Sequence, residues 1–341
     1  MIRSNSEGDI YIEEMPLLLV HLREEEKGAD ARLSEVLSYA LDGYAYETAT
    51  EISAFEDYVN RWRCLEKTQN RKNLVQGRIL FAVPLGTSGI NLELYRLIRF
   101  LREHPDFLNG FVGGLLVDSE NDLYSKSAAK DLVFAANCAG CAFVGRPLVE
   151  GTRTLSNYTI VSNNLGTDLM GAYRESAAGL VKEVLGTDCV RKKCPKVLVL
   201  HASSHKTSNT YAIWNRVKEQ LPEMEIREIG LRNGTLSDCA GCPYKMCLHF
   251  GEQGSCFYGG VMVEDVYPAV READAIVMLC PNYNDALSAN LTAFINRLTS
   301  LFRTTRFYDK ALFAVVVSGY SGSDIVAEQL IAALNMNKTF Y

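Results

Sequence analysis

At 341 residues and 48% hydrophobic content, the chain is long enough to bury two cores of ordinary domain size. Its formal net charge of −6 leaves no basic footprint for nucleic acid or an anionic membrane surface, so both are excluded as expected partners. Ten cysteines behind no export signal read as reduced thiols, metal ligands or redox groups, not as a disulfide framework.

The chain opens MIRSNSEGDIYIEEMPLLLVHL, where the apolar run from Met15 to His21 follows an acidic stretch and is too short for a signal peptide or a membrane span. A cytoplasmic protein is expected. The run PLLLVHL reads as a first strand, and Arg23, Glu24, Glu25, Glu26 and Lys27 follow it; the three carboxylates there would repel a phosphate. Further on, ILFAVPLGTSGINLELYRLIRFL (79–101) aligns without a gap on IVMLCPNYNDALSANLTAFINRL (276–298). The segments that follow each also correspond, with a gap of about two residues. The chain therefore reads as two copies of one α/β unit, with a boundary in Gly186–Pro195 and expected domains 1–190 and 191–341.

In the second copy, strand and helix periods alternate as in a parallel sheet with crossover helices. Lys196–Leu200, Glu225–Leu231, Ala275–Cys280 and Ala311–Val317 are expected strands, and Asn337–Tyr341 a possible fifth. A helix after Asn209 should bury Ile213, Val217 and Leu221. Other helices should run through Val266 and Val270, along Leu291, Phe294, Ile295, Leu298 and Leu301, and from about Ile325 to Leu334.

Between the first of these strands and its helix lies HASSHKTSNT, with Ser203, Ser204, Thr207, Ser208, Asn209 and Thr210. A helix start combines unpaired N–H donors with a positive dipole end, and so many hydroxyls there point to a phosphate. The bland alternative is that Ser208 or Asn209 only caps the helix. Neither G-x-x-x-x-G-K-S/T nor G-x-G-x-x-G occurs, which disfavours a nucleoside triphosphatase and a standard dinucleotide fold.

These residues resemble the flavodoxin-like NAD(P)H-dependent FMN reductases and their relatives, the iron–sulfur flavoproteins. Ala202–Thr210 matches the family's phosphate loop, departing from it at Ala202, Ser204 and His205. Pro281-Asn282-Tyr283 with Phe294-Ile295-Asn296-Arg297 matches a second block, and Ser318–Gly322 stands as a third loop. The resemblance implies two tandem flavodoxin-like doubly wound parallel-sheet domains of strand order 2-1-3-4-5, the N-terminal one degenerate. It implies an FMN phosphate on Ser203, Ser208, Asn209 and Thr210, with Lys206 or a protonated His205 as counter-charge. The flavin ring would lie against Pro281, Asn282, Tyr283 and Asn284 and against Ser318 and Gly319. NAD(P)H would be co-substrate, electrons would pass to a further acceptor, and the protein would be a homo-oligomer.

Cys239, Cys242, Cys247 and Cys256 bring four soft ligands within reach of one centre. A [4Fe–4S] cluster, zinc and free thiols all remain open; by resemblance, the iron–sulfur flavoproteins carry a compact cysteine motif in the same region. Cys280 reads as core, Cys138 and Cys141 as packing residues, Cys189 and Cys194 as linker thiols, and His249 as solvated. Two other functions compete: an electron-transfer protein with no small-molecule turnover, and a flavin-free scaffold.

Overall fold

Alternating strand and helix periods in each half produce two parallel sheets, in compact units Met1–Asp188 and Cys189–Tyr341. The computed structural model describes residues 3–4, 10–11, 15–23, 27–68, 76–188, 192–203 and 208–341. The carboxylates of Glu24–Glu26 and the thiol of Cys189 lie outside that set.

In the first unit the strands are β1 (Leu17–His21), β2 (Tyr46–Ala49), β3 (Gly77–Leu85), β4 (Phe111–Ser119) and β5 (Ala142–Gly151). All pair in parallel in the order β2-β1-β3-β4-β5, the flavodoxin-like order. The helices are α1 (Lys27–Ala40), α2 (Ile52–Thr68), α3 (Leu92–Glu103), α4 (Ser125–Cys138), α5 (Thr159–Leu165) and α6 (Leu169–Gly186). Central β4 is buried along its whole length, as a strand covered by helices on both faces must be. Helix α1 packs with α6, and α3 with α4; right-handed crossovers put the two pairs on opposite faces. Gly114 makes the α6 contact possible, because a Cβ there would stand 2.8 Å from Val184 and 2.9 Å from Leu180.

The second unit repeats the plan with β6 (Lys196–His201), α7 (Asn209–Glu219), β7 (Glu225–Gly230), α8 (Tyr244–Glu252), α9 (Tyr267–Glu272), β8 (Ala275–Pro281), α10 (Ala289–Phe302), β9 (Ala311–Val317) and α11 (Ser323–Leu330). Its four strands are parallel in the order β7-β6-β8-β9. Strand alternation divides the core. Val197, Val199, Ala275, Val277 and Leu279 meet Trp214 of α7, whereas Leu198, Leu200, Ile276, Met278 and Cys280 meet α9, α10 and α11.

Two expectations are corrected. The last residues are no fifth strand: helical turns continue through Lys338, and only Tyr341 joins the edge, donating to Lys310 O and accepting from Leu312 N. On α7 the buried side chains are Thr210 and Trp214, while Ile213 and Val217 are exposed. Trp214 takes the sheet because its ring joins the core cluster of Val197, Val199, Ala275, Val277 and Leu279 and its Nε1 donates to Glu228 at 3.2 Å.

Candidate functional site

The carboxyl edge of the second sheet carries three loops, each following a neighbouring strand. Strand β6 ends at His201, in register beside Leu279 of β8, so the chain leaves both strands at the same edge of the sheet, at Ser203 and after Pro281. The hydroxyl of Ser203 is buried and has no hydrogen-bond partner among the described residues. Leaving such a group unsatisfied costs about 1–3 kcal/mol. Ser208 is the N-cap of α7, and its Oγ accepts from Tyr211 N at 3.2 Å. The cap uses an oxygen lone pair and leaves the hydroxyl proton to donate, so capping and anion binding are compatible. Asn209 is exposed in the first turn and Thr210 is buried. Ser204, His205, Lys206 and Thr207 lie outside the described residues.

The second loop, after Pro281, is shaped by consecutive left-handed residues, Asn284 (φ 55°) and Asp285 (φ 54°), residue types that tolerate this region. Asn282 Nδ2 donates to Asp285 Oδ1 and to Ser318 Oγ, both at 3.1 Å, tying the second loop to the third. Its Oδ1, like Ser288 Oγ at the start of α10, is buried without a partner. Gly322 (φ 99°) turns the third loop back so closely that a Cβ would lie 2.0 Å from Asp285 Oδ1. Tyr283 is 62% exposed and Tyr320 95% exposed, two unengaged aromatic rings at the rim. Nothing lies within 4 Å of a Cβ built on Gly319. The structure thus brings Ser203, Asn282 and Ser318 to one edge. Sequence reasoning took in Asp285 as the end of the second loop but missed Ser288 and Gln329, the latter holding that loop by donating to Asp285 O and accepting from Leu287 N. Only the turn-forming Asn-Asp pair was a readable signal for the loop.

The four cysteines gather around α8: Cys239 and Cys242 before it, Cys247 on it and Cys256 after it. All four line one cavity of about 370 Å³, with Tyr258, Arg297 and Arg303. Helix α10 braces this segment. Asn296 donates to Asp238 Oδ1 at 3.0 Å, Arg297 to Gly259 O at 2.7 Å, and Ser300 Oγ to Ser255 O at 2.6 Å. The close approach requires Gly251, where a Cβ would meet Ser300 O at 2.6 Å. The Nε atoms of Arg297 and Arg303 are buried without partners. Partial desolvation, a hydrogen bond with Cys242 and the nearby thiols raise the Tyr258 hydroxyl above its ordinary value. No group of His, Cys, Asp or Glu among the described residues stands close enough to share one metal ion. His249 is exposed, and burial pushes the Cys280 thiol up to about 12, which makes it inert.

The same edge of the first unit is filled by its own side chains. Arg32 forks onto the buried Asp118, with Nε to Oδ2 at 2.9 Å and Nη2 to Oδ1 at 2.6 Å. Burial pushes the Asp118 carboxyl up, against the pull of Arg32. Glu120 Oε1 accepts from Ala29 N, at the first turn of α1, at 3.2 Å.

Residues 195–341 match the model of a family described as NADPH-dependent FMN reductase. No curated protein matches the chain. One similar solved structure is described as a GCN5-related glucosamine N-acetyltransferase region in a fungal multi-domain GH3 β-N-acetylglucosaminidase; it is 9% identical with a TM-score of 0.20, covering 77% of this chain and 34% of that one. The chain spans about a third of that structure's length, and a likeness of this size carries no argument.

Proposed function

We propose, from the match of residues 195–341 to the model of an NADPH-dependent FMN reductase family, that the chain is an FMN-dependent NAD(P)H oxidoreductase delivering electrons to a separate acceptor. The observation that carries the reading is the buried Ser203 hydroxyl just past β6, which has no partner among the described residues, as have Asn282 Oδ1 and Ser288 Oγ in the segment that follows β8. A phosphate at the helix start would take hydrogen bonds from Ser203, Ser208 and the first-turn N–H groups, with Asn209 and Lys206 or His205 alongside. The ring would lie between the 282–285 and 318–322 loops, whose mutual hydrogen bonds fix their spacing. Bound FMN supplies hydride acceptance and onward electron transfer, and the protein's part is to hold and orient it. No side-chain acid or base is assigned.

A second reading, favoured by the cysteine cavity, adds a [4Fe–4S] cluster and makes the chain an electron-transfer protein. A single zinc on four thiolates, with Zn–S bonds of about 2.3 Å, would draw the sulfurs to within about 3.8 Å of one another. The support for the larger centre is that all four cysteines line one cavity of about 370 Å³. The Nε–H groups of Arg297 and Arg303 would face its negative charge.

The two readings separate in one experiment. Protein purified without oxygen and supplied with FMN is mixed with NADPH or NADH, and flavin absorbance and nicotinamide oxidation are followed. Bleaching with sustained turnover supports the oxidoreductase. Flavin that binds but is not reduced leaves the electron-transfer reading, and protein that takes up no FMN refutes both.

A further inference from the structure

The two units differ at one position that controls the start of their first helix. In the first unit, Glu120 directly follows β4 and reaches across to α1: its Oε1 accepts from Ala29 N at 3.2 Å. A Cβ built on Gly28 would stand 1.9 Å from that same oxygen, so the carboxylate lies against the backbone of the helix's first turn. It has the charge and the hydrogen-bond role that a phosphate would have at a helix N-terminus.

The strand registers identify the equivalent residue. Pro84 of β3 pairs with Asp118 of β4, and Pro281 of β8 pairs with Val317 of β9. Pro84 and Pro281 are partners in the gapless repeat alignment, so Asp118 corresponds to Val317, Ser119 to Ser318 and Glu120 to Gly319. Glycine carries no side chain to reach the start of α7, and open space surrounds its would-be Cβ. The Ser203 hydroxyl, in the turn that leads from β6 toward α7, has no partner among the described residues, whereas the first turn of α1 has the Glu120 carboxylate.

We infer that Glu120 is a built-in anion that closes the phosphate seat of the N-terminal unit, and that Gly319 at the matching position keeps the C-terminal seat open. This pair of residues adds to the acidic run Glu24–Glu26 in setting which unit takes a phosphorylated ligand. The inference rests on the proposed FMN site in the second unit and adds its specificity determinant.

The test uses the full chain, with inorganic phosphate and FMN as probes and amide hydrogen exchange as the localising readout. In the wild type, phosphate slows exchange in residues 209–219 and leaves 27–40 unchanged. Gly319→Glu should abolish that protection and raise the Kd for FMN about tenfold or more. Glu120→Gly combined with Glu24→Ser, Glu25→Ser and Glu26→Ser, which also removes the carboxylates that would repel a phosphate there, should extend phosphate protection to 27–40, whereas the three serine substitutions alone should not. Gly319→Glu that keeps the phosphate protection of 209–219, or the combined variant leaving 27–40 indifferent to phosphate, overturns the inference. Wild-type protein in which 209–219 does not respond to phosphate or FMN overturns the site itself, a separate failure visible before any variant is made.

Discussion

Replacing Ser203 by alanine separates a ligand-binding hydroxyl from a structural one, because the two roles predict opposite signs. In the free protein Ser203 Oγ is buried and unpartnered, so its removal deletes a desolvated group that gives nothing back. Flavin-free Ser203→Ala should therefore be as stable as the wild type or more stable by about 1 kcal/mol. With FMN bound, the same hydroxyl donates to a charged oxygen, a bond worth about 1.5–3 kcal/mol, so its loss should weaken binding about tenfold to about a hundredfold. Ser208→Ala is the contrast: it removes a working cap and should cost about 1 kcal/mol of stability before any ligand is added. Urea unfolding followed through Trp214, with Trp62 replaced by phenylalanine, measures the first quantity, and quenching of FMN fluorescence the second. A Ser203→Ala protein that is destabilised yet binds FMN normally would show that the hydroxyl is structural and refute the reasoning.

Three further outcomes follow from the same geometry. Burial raises the Glu228 carboxyl, but hydrogen bonds from Lys218, Tyr211 and Trp214 outweigh it and hold it below its ordinary value. Its stabilisation is thus complete above the unfolded pKa of about 4.3 and fades as pH falls through the folded value. Glu228→Gln should cost about 2 kcal/mol near neutrality, a gap that closes below about pH 4 in urea titrations at several pH values. Gly251→Ala must push α8 off α10, since its Cβ meets a backbone oxygen; a loss of about 1–3 kcal/mol and reduced iron uptake are expected, read by denaturation and metal analysis. Replacing Cys242 or Cys247 by serine should strip iron and sulfide from anaerobically prepared protein while FMN content holds, and equal iron in wild type and variants would contradict the cluster reading.

Much of the second unit was legible because its strands are apolar runs bounded by polar loops, and the repeat supplied an independent check on each. β8 and α10 fall where Ile276–Leu298 placed them, and Leu291, Phe294, Ile295, Leu298 and Leu301 are all buried. The α7 face was misread because periodicity weighs Ile213 and Val217 equally with Trp214, while packing is decided by ring area and by the Glu228 hydrogen bond across to β7. The chain's end was misread because a short Asn337–Tyr341 segment carries no period, and two backbone hydrogen bonds of one residue, Tyr341, suffice to hold it on the edge. At the site, the Ser-rich turn and the Pro-x-Tyr block could be read directly. Glu120 could not, since its partner on α1 is 91 residues away in sequence and is joined to it only by the sheet register.

The central claim is that the turn from β6 into α7 holds a flavin's phosphate. Its most direct test compares the affinities of FMN and riboflavin for the same flavin-free protein. The account predicts FMN bound at least about tenfold more tightly, with the advantage reduced in Ser203→Ala. Equal affinity for the two, or no binding of either, would contradict it.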